Sequence, residues 1–391
     1  MKIIHYLRFF TSSFFYNSFK SLFYLNLKVE TDVILYYPQH FNFKTKKPSC
    51  FSNLINSMDN NKIDFVIFEE PNIFCNESRS KDILPFDFIW LLVIIFRKFY
   101  KGKNFTIIDM KIGRLLSLIL FIRRDVKNII TVSQSFQSVF RGMFPKAVLF
   151  DYQHGLISKN YKGYINDSTI SKNILINNTK ILLFGEGFKK KILNVNGGNY
   201  FKNHSHVIGS THKHYCKPQK SFNGNILFTL QFTKSHSKDY NNQLLTKTID
   251  FLNEIQSNKI RIKLYLKNHP RFENCLSTSV LYDYEFVKNA PDKLIDCFKI
   301  CSLHITEYST VLFDSIYAGI PSMLTEFSSE INIYKNEYDF PCEEFNIIDS
   351  LKLMTDDSYY QQLYNKQIKW SKNLYEPFKE KKFIELINNN D

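Results

Sequence analysis

The sequence predicts an α/β protein of two doubly wound, parallel-sheet domains facing each other across a cleft. Three observations predict it. The chain has 391 residues, too many for one ordinary core and suited to two. Short apolar runs alternate with longer helical patterns along its whole length, the signature of a parallel sheet covered on both faces. A polar break at 210–224, holding Pro218 and Gly224 and lacking any apolar period, divides this alternation into two series.

In the first series, Val33–Tyr37, Phe65–Phe68, Phe105–Ile108, Asn128–Thr131, Ala147–Phe150, Ile181–Phe184 and Val207–Ile208 read as buried strands. Helical stretches lie between them at 88–100, 112–122 and 134–142. The second series has strands at Ile226–Leu230, Ile262–Leu266, Leu303–Thr306 and Ser322–Thr325, with helices near 239–256, 291–300 and 309–318. The expected organisation is an acceptor-binding domain at 1–209, a linker at 210–224 and a donor-binding domain at 225–355. Helices at 356–391 are expected to cross back to the first domain.

Hydrophobic residues make up 44% of the chain, so wholesale disorder is excluded. The formal charge of +14 fits an anionic substrate, an anionic membrane or nucleic acid. A chain crowded with Lys, Asn, Ile, Phe and Tyr also acquires such charge from an AT-rich genome. No RNA-binding aromatic signature or zinc-finger spacing accompanies the charge, which argues against nucleic acid. Seven scattered cysteines suit a reducing compartment. Cys297, Cys301 and His304 lie in an apolar passage that suits small buried side chains better than a metal. His204, His206, His212 and His214 alternate without a completing carboxylate or Cys pair. Residues 1–28 are aromatic and basic but lack a signal peptide's continuous apolar run. The most apolar run, Phe88–Phe96, is about half a membrane span. The expected location is the cytoplasm, with contact to the inner face of the plasma membrane.

Ligands of open α/β sheets sit beyond the carboxyl ends of the strands, and the chemical motifs of this chain fall there. Asp151-Tyr152-Gln153-His154-Gly155 follows one strand; His154 can supply a general base with Asp151 orienting it, or Asp151 can be the base itself. Gln153 and Gly155, with Tyr161 and Tyr164 in the next loop, are candidate acceptor contacts. Lys267-Asn268-His269-Pro270-Arg271 follows another strand. Pro270 favours extended backbone at His269, which can then meet a phosphate oxygen, with Lys267 adding charge. Glu307-Tyr308-Ser309-Thr310 joins a strand to a helix, where amides, hydroxyls and the helix dipole suit an anion. Gln231, Glu326 and the Gly185-Glu186-Gly187 turn occupy further strand ends; Glu326 is placed toward ribose hydroxyls and Glu186 is an alternative base. No Asp-x-Asp motif marks a metal-diphosphate site, so a metal-independent mechanism without cofactor is expected.

In this order the motifs resemble those of bacterial sialyltransferases, polysialyltransferases and Kdo transferases of capsule and lipooligosaccharide synthesis. The resemblance covers roughly residues 150–326. It implies a GT-B-like fold of two Rossmann-like domains, a CMP-activated donor, and an acceptor oligosaccharide or glycolipid. Carried over, His269, Pro270, Ser309 and Thr310 hold the leaving phosphate. The acidic residue expected beside the glycine is replaced by Gln153-His154, and this form also resembles teichoic-acid-type glycerophosphate transferases that use CDP-glycerol. A non-catalytic, membrane-associated partner in capsule assembly is the competing reading from another class.

Overall fold

The computed structural model describes all residues except 1, 42–48, 74–78, 80–82, 101, 103, 160–162, 211–218, 235, 270–271, 273–275, 328, 343–345 and 390–391. The chain divides into two compact units, Met1–Thr211 with Glu376–Asp391, and His212–Tyr375. The crossing back to the first unit therefore begins at Glu376, and most of the segment from 356 belongs to the second.

The first unit opens with helices α1 (Lys2–Thr11) and α2 (Ser13–Asn26). Its main strands are β1 (Glu30–Pro38), β2 (Phe65–Glu70), β3 (Leu84–Pro85), β4 (Asp125–Val132) and β5 (Val148–Tyr152). Between them lie α3 (Ser52–Asn60), α4 (Asp87–Phe99), α5 (Phe105–Ile119) and α6 (Gln137–Met143). A small hairpin of β6 (Ile165–Asn166) and β7 (Thr169–Ile170) precedes α7 (Lys172–Asn177), β8 (Lys180–Leu183), α8 (Glu186–Leu193), α9 (Tyr200–His204) and β9 (Ser205–Val207). The seven-stranded sheet runs β3-β2-β1-β4-β5-β8-β9, and every pairing in it is parallel.

Both faces of β1 are buried, which is why Val33–Tyr37 reads as an unbroken apolar run rather than an alternation. Ile34 and Tyr36 face a core shared with Leu25 of α2, Ile89 and Val93 of α4, Ile112 and Leu116 of α5 and Phe140 of α6. The expected strand at Phe105–Ile108 is instead the first turn of α5. Asn104 caps it by accepting from the amides of Thr106 and Ile107. Ile108, Ile112 and Leu116 then bury one helical face at four-residue spacing. α5 and α6 cross with their backbones in contact. A Cβ on Gly113 would collide with the Val139 carbonyl, and one on Gly142 with that of Met110.

The second unit holds β10 (Asn225–Thr229), β11 (Lys263–Lys267), β12 (Val287–Asn289), β13 (Leu303–Thr306) and β14 (Ser322–Leu324). They pair in the order β12-β11-β10-β13-β14, again all parallel. Its helices are α10 (Lys238–Ser257), α11 (Leu294–Ile300), α12 (Val311–Tyr317), α13 (Ile347–Leu353) and α14 (Asp357–Ser371). Ile226, Phe228 and Leu230 pack with Leu244, Phe251 and Ile255 of α10 on one sheet face. On the other, Leu227 packs with Cys297, Phe298 and Ala318. Each unit is thus Rossmann-like, with a topological switch point between its first and fourth strands in local order.

A last helix, α15 (Glu380–Asn388), returns to the first unit. The Asn128 amide of β4 donates to the Ile387 carbonyl at 2.8 Å. Glu376 caps α8 through the Glu186 amide at 2.7 Å.

Candidate functional site at the strand carboxyl ends

In the first unit, segments from four strand ends gather at the switch point between β1 and β4. Phe41 follows β1, Glu70 closes β2, Ser133–Phe136 follow β4 and His154 follows β5. His154 is half-buried. The Ser133 hydroxyl lies 3.1 Å from Nδ1 and 3.0 Å from Nε2, so it holds the ring by one nitrogen at a time. Phe41 meets the imidazole edge-on, with ring centres 5.2 Å apart.

Asp151 does not orient His154. It is fully buried, and its carboxylate is engaged on other groups. Oδ1 accepts from the Thr131 hydroxyl and the Gln134 amide, each at 2.7 Å. Oδ2 accepts from Tyr164 at 2.6 Å. Burial pushes its carboxyl up to about 7 against the pull of these donors. A carboxylate so enclosed has no path to a substrate proton. It pins the loop after β4, where Ser133, Gln134 and Phe136 all hold left-handed backbone with φ of 56–59°. Strain of this kind collects where surroundings over-determine a functional geometry.

Tyr164, expected to line an acceptor pocket, is itself fully buried on Asp151. Tyr161 lies outside the described residues. Gln153 is buried and structural: its amide donates to the Gly155 carbonyl at 2.7 Å, and its Oε1 accepts from the Phe184 amide at 2.9 Å. Gly155 adopts φ +99°, with open space where a Cβ would stand. Backbone conformation, rather than close approach, selects glycine there. Glu186 is exposed at the start of α8.

Sequence reasoning missed Glu70 and the Ser133–Phe136 loop. Burial raises the Glu70 carboxyl, and Ser135 donates to it. Its signal was present: Glu69-Glu70 closes an apolar strand run, the same position that singled out Asp151.

In the second unit, Gln231 follows β10, His269 follows β11, Glu307 to Thr310 follow β13 and Glu326 follows β14. All lie at the carboxyl edge of one sheet. His269 is half-buried, while Gln231 and Glu307 are buried. Pro270 lies outside the described residues. The Ser309 hydroxyl accepts from the Val311 amide at 3.3 Å where α12 begins, while Thr310 is exposed. α12 spans seven residues, so hydroxyls and amides, more than a macrodipole, are what this turn offers an anion.

Two assignments change. The Lys267 ammonium donates to the carbonyls of Pro291 and Asp292, both at 2.8 Å, and braces a loop instead of facing a phosphate. The Glu326 carboxylate, though exposed, is ion-paired with Lys335 at the wall of a cavity of about 330 Å³. A residue not anticipated joins the edge. His236, in the segment after β10, lies 2.8 Å through Nε2 from the Tyr308 hydroxyl. That bond spans the switch point between β10 and β13. The strand-end rule that selected His269 does not reach His236, which stands seven residues beyond the end of β10.

Among the described residues no cluster of three His, Cys, Asp or Glu side chains is arranged to hold a metal. His304 is fully buried, bonded to Thr229 at 2.9 Å and Ser322 at 3.0 Å. Burial pushes its imidazole down to about 3. Cys301 sits in an apolar cluster, its thiol pushed up to about 12 by burial. His204 stacks on Tyr200 and bonds Asn178, and His206 lies within β9. His212 and His214 lie outside the described residues.

No family model and no curated protein matches the chain. Solved structures do resemble it. S. aureus MnaA, in a co-structure with UDP, aligns with a TM-score of 0.54 at 10% identity, over 93% of this chain and 95% of that one. The wall teichoic acid polymerase TagF aligns with a TM-score of 0.54 at 12% identity, over 100% and 95%. UDP-GlcNAc 2-epimerase from Methanocaldococcus jannaschii, in complex with UDP-GlcNAc and UDP, aligns with a TM-score of 0.51 at 13% identity, over 93% and 100%. The chain has the GT-B architecture of these proteins, two Rossmann-like domains in one chain.

Proposed function

We propose that the protein is a glycosyltransferase that moves a sugar from a nucleotide-activated donor to a hydroxyl of a surface glycan, without metal or cofactor. The observation that carries this reading is the gathering of His154 in the first unit, and of His269, Ser309, Thr310, Glu307 and Gln231 in the second, at strand carboxyl edges. Open α/β sheets bind ligands there. Structures of the same fold include complexes with UDP and UDP-GlcNAc.

In this reading His154 takes the proton from the acceptor hydroxyl as its oxygen attacks the anomeric carbon. The bond from that carbon to the nucleotide phosphate breaks, and the electron pair leaves on the phosphate. His269 and the Ser309-Thr310 hydroxyls hold that phosphate as charge develops. Displacement in one step inverts the anomeric centre. The motif order favours a CMP-linked nonulosonic acid or Kdo as donor. A second reading is glycerophosphate transfer from CDP-glycerol, favoured by the Gln153-His154-Gly155 form and by the likeness to a teichoic acid polymerase over the whole chain. There the acceptor oxygen attacks phosphorus, and CMP again departs.

The test begins with melting temperatures measured with CMP, CDP, UDP and GDP, since a ligand of the native state raises them by mass action. Transfer is then assayed with CMP-sugars and with CDP-glycerol. His154→Ala and His269→Ala are each expected to lower turnover about 100-fold or more. Unchanged turnover in both variants sinks the roles given to His154 and His269, and a wild type that turns over none of these donors leaves the non-catalytic partner.

A further inference from the structure

The surface of the first unit is divided unevenly. Among the described residues, every large apolar side chain that is more than half exposed lies between Leu7 and Phe121. Those of the second unit all stay below 40%. Tyr16 and Phe23 on α2, Phe99 on α4, Phe105 and Leu118 on α5, and Phe121 just beyond it are each at least 64% exposed. Apolar side chains scattered singly are normal on a soluble surface, whereas their concentration on the helices of one unit marks an interaction face.

These helices form one layer. Phe19 of α2 meets Phe88 of α4 with ring centres 4.8 Å apart. Arg97 of α4 pairs with Asp109 of α5 at 2.8 Å. The amides of Arg123 and Arg124, beyond α5, both donate to the Leu25 carbonyl of α2 at 3.1 Å. The layer's inner residues fill the core, so the outer aromatics are surplus to folding.

Charge identifies the occupant. No acid occurs between Lys2 and Val29, whereas Arg8, Lys20 and Lys28 do. The acids carried by α4 and α5 are Asp87 and Asp109, and both are ion-paired with arginine. Lys20, Lys28, Lys98, Lys111 and Arg123, on or just beyond the same helices, are exposed. Where α2 and α5 end, a cavity of about 460 Å³ opens at the amino-terminal edge of the sheet, remote along the strands from the candidate site. Lys28, Arg123, Arg124 and Lys146 line it together with Glu30 and Asp125. Glu30 is occupied by Lys127 at 2.5 Å, and the Arg124 guanidinium lies 3.5 Å over the Tyr24 ring. Cations at the rim of a broad aromatic face match a bilayer interface, with phosphate heads above and acyl chains below. α2 and α4 run 14 and 13 residues, short of the roughly 20 needed to span one.

We propose that the layer formed by α2, α4 and α5 docks the protein on an anionic phospholipid bilayer, with the aromatics in the interface and the lysines on lipid phosphates. The test is co-sedimentation of the full chain with vesicles of phosphatidylcholine alone, or of phosphatidylcholine with phosphatidylglycerol. The wild type is expected to pellet with the anionic vesicles, and less so as salt rises. Replacing Lys20, Lys28 and Lys98 by Gln is expected to weaken partition on the order of 100-fold. Phe23→Asp, Phe99→Asp and Leu118→Asp together are expected to abolish it while the melting temperature holds, since these side chains face solvent. Wild type that stays in the supernatant with both vesicle types overturns the proposal. So does equal binding by the aspartate variant. A wild-type dimer in sedimentation velocity that this variant breaks, without vesicle binding, assigns the face to a second copy instead.

Discussion

Asp151 sets the terms on which the first unit's loop after β4 exists. Its carboxylate is taken out of water with no cation beside it among the described residues, and the donors Thr131, Gln134 and Tyr164 replace the lost hydration. Its folded value of about 7 lies above the ordinary 3.8. The folded state therefore binds a proton that the unfolded chain releases between these values. The stability it contributes is complete below about 4 and declines as pH rises to about 7. Asp151→Asn is expected to remove that decline, read as a smaller pH dependence of the melting temperature across this window. Tyr164→Phe strips Oδ2 of its donor and is expected to cost about 1–3 kcal/mol at neutral pH, measured by urea unfolding. His304 in the second unit behaves oppositely. Its value of about 3 lies below the ordinary 6.5, so the unfolded chain gains the proton first. Its contribution is complete above about 6.5 and is lost as pH falls toward 3. Protection factors of β13 amides are expected to fall across that range, and unchanged protection would contradict the assignment.

At the scale of elements, the crossing of α5 and α6 matters most for the site. α6 begins directly after the Ser133–Phe136 loop, and Gly113 and Gly142 fix how close it lies to α5. Gly142→Ala forces backbone apart and is expected to destabilise the first unit by about 1–3 kcal/mol, seen as a lower melting temperature. Neither glycine stood out in the sequence, because close approach between helices leaves no local pattern. The strands were legible where burial on both faces makes continuous apolar runs, as in Val33–Tyr37 and Ile226–Leu230. Phe105–Ile108 shows the limit of that signal. A short apolar run reads alike as strand or helix start, and the Asn104 cap with the later four-residue spacing decides it. The short strands β3 and β12 were invisible for want of length. Site residues were legible where they follow a strand. Their partners were not: that Lys267 braces carbonyls, that Glu326 pairs with Lys335, and that Tyr164 serves Asp151 all depend on loops distant in sequence.

For the whole molecule, the decisive fact is that the first unit is made from both ends of the chain. Asn128 depends on Ile387, α8 depends on Glu376, and Phe383 and Ile387 of α15 are buried in the first unit's core. A chain ending at Tyr375 is expected to keep a cooperatively melting second unit while its first unit loses protection and becomes protease-sensitive. Limited proteolysis with mass mapping checks this, and equal resistance of both units would refute it.

The two places where the chain passes between the units also lie side by side within the first. Ser210 bridges Pro377, and its amide donates to the Glu376 carbonyl at 2.9 Å. The second unit is therefore an inserted cassette whose entry and exit share one doorway. Joining Ser210 to Glu376 through a short flexible bridge excises it without breaking a strand of the host sheet. The same doorway would accept a different cassette, so the two halves of this chain are free to be exchanged independently in evolution and in design.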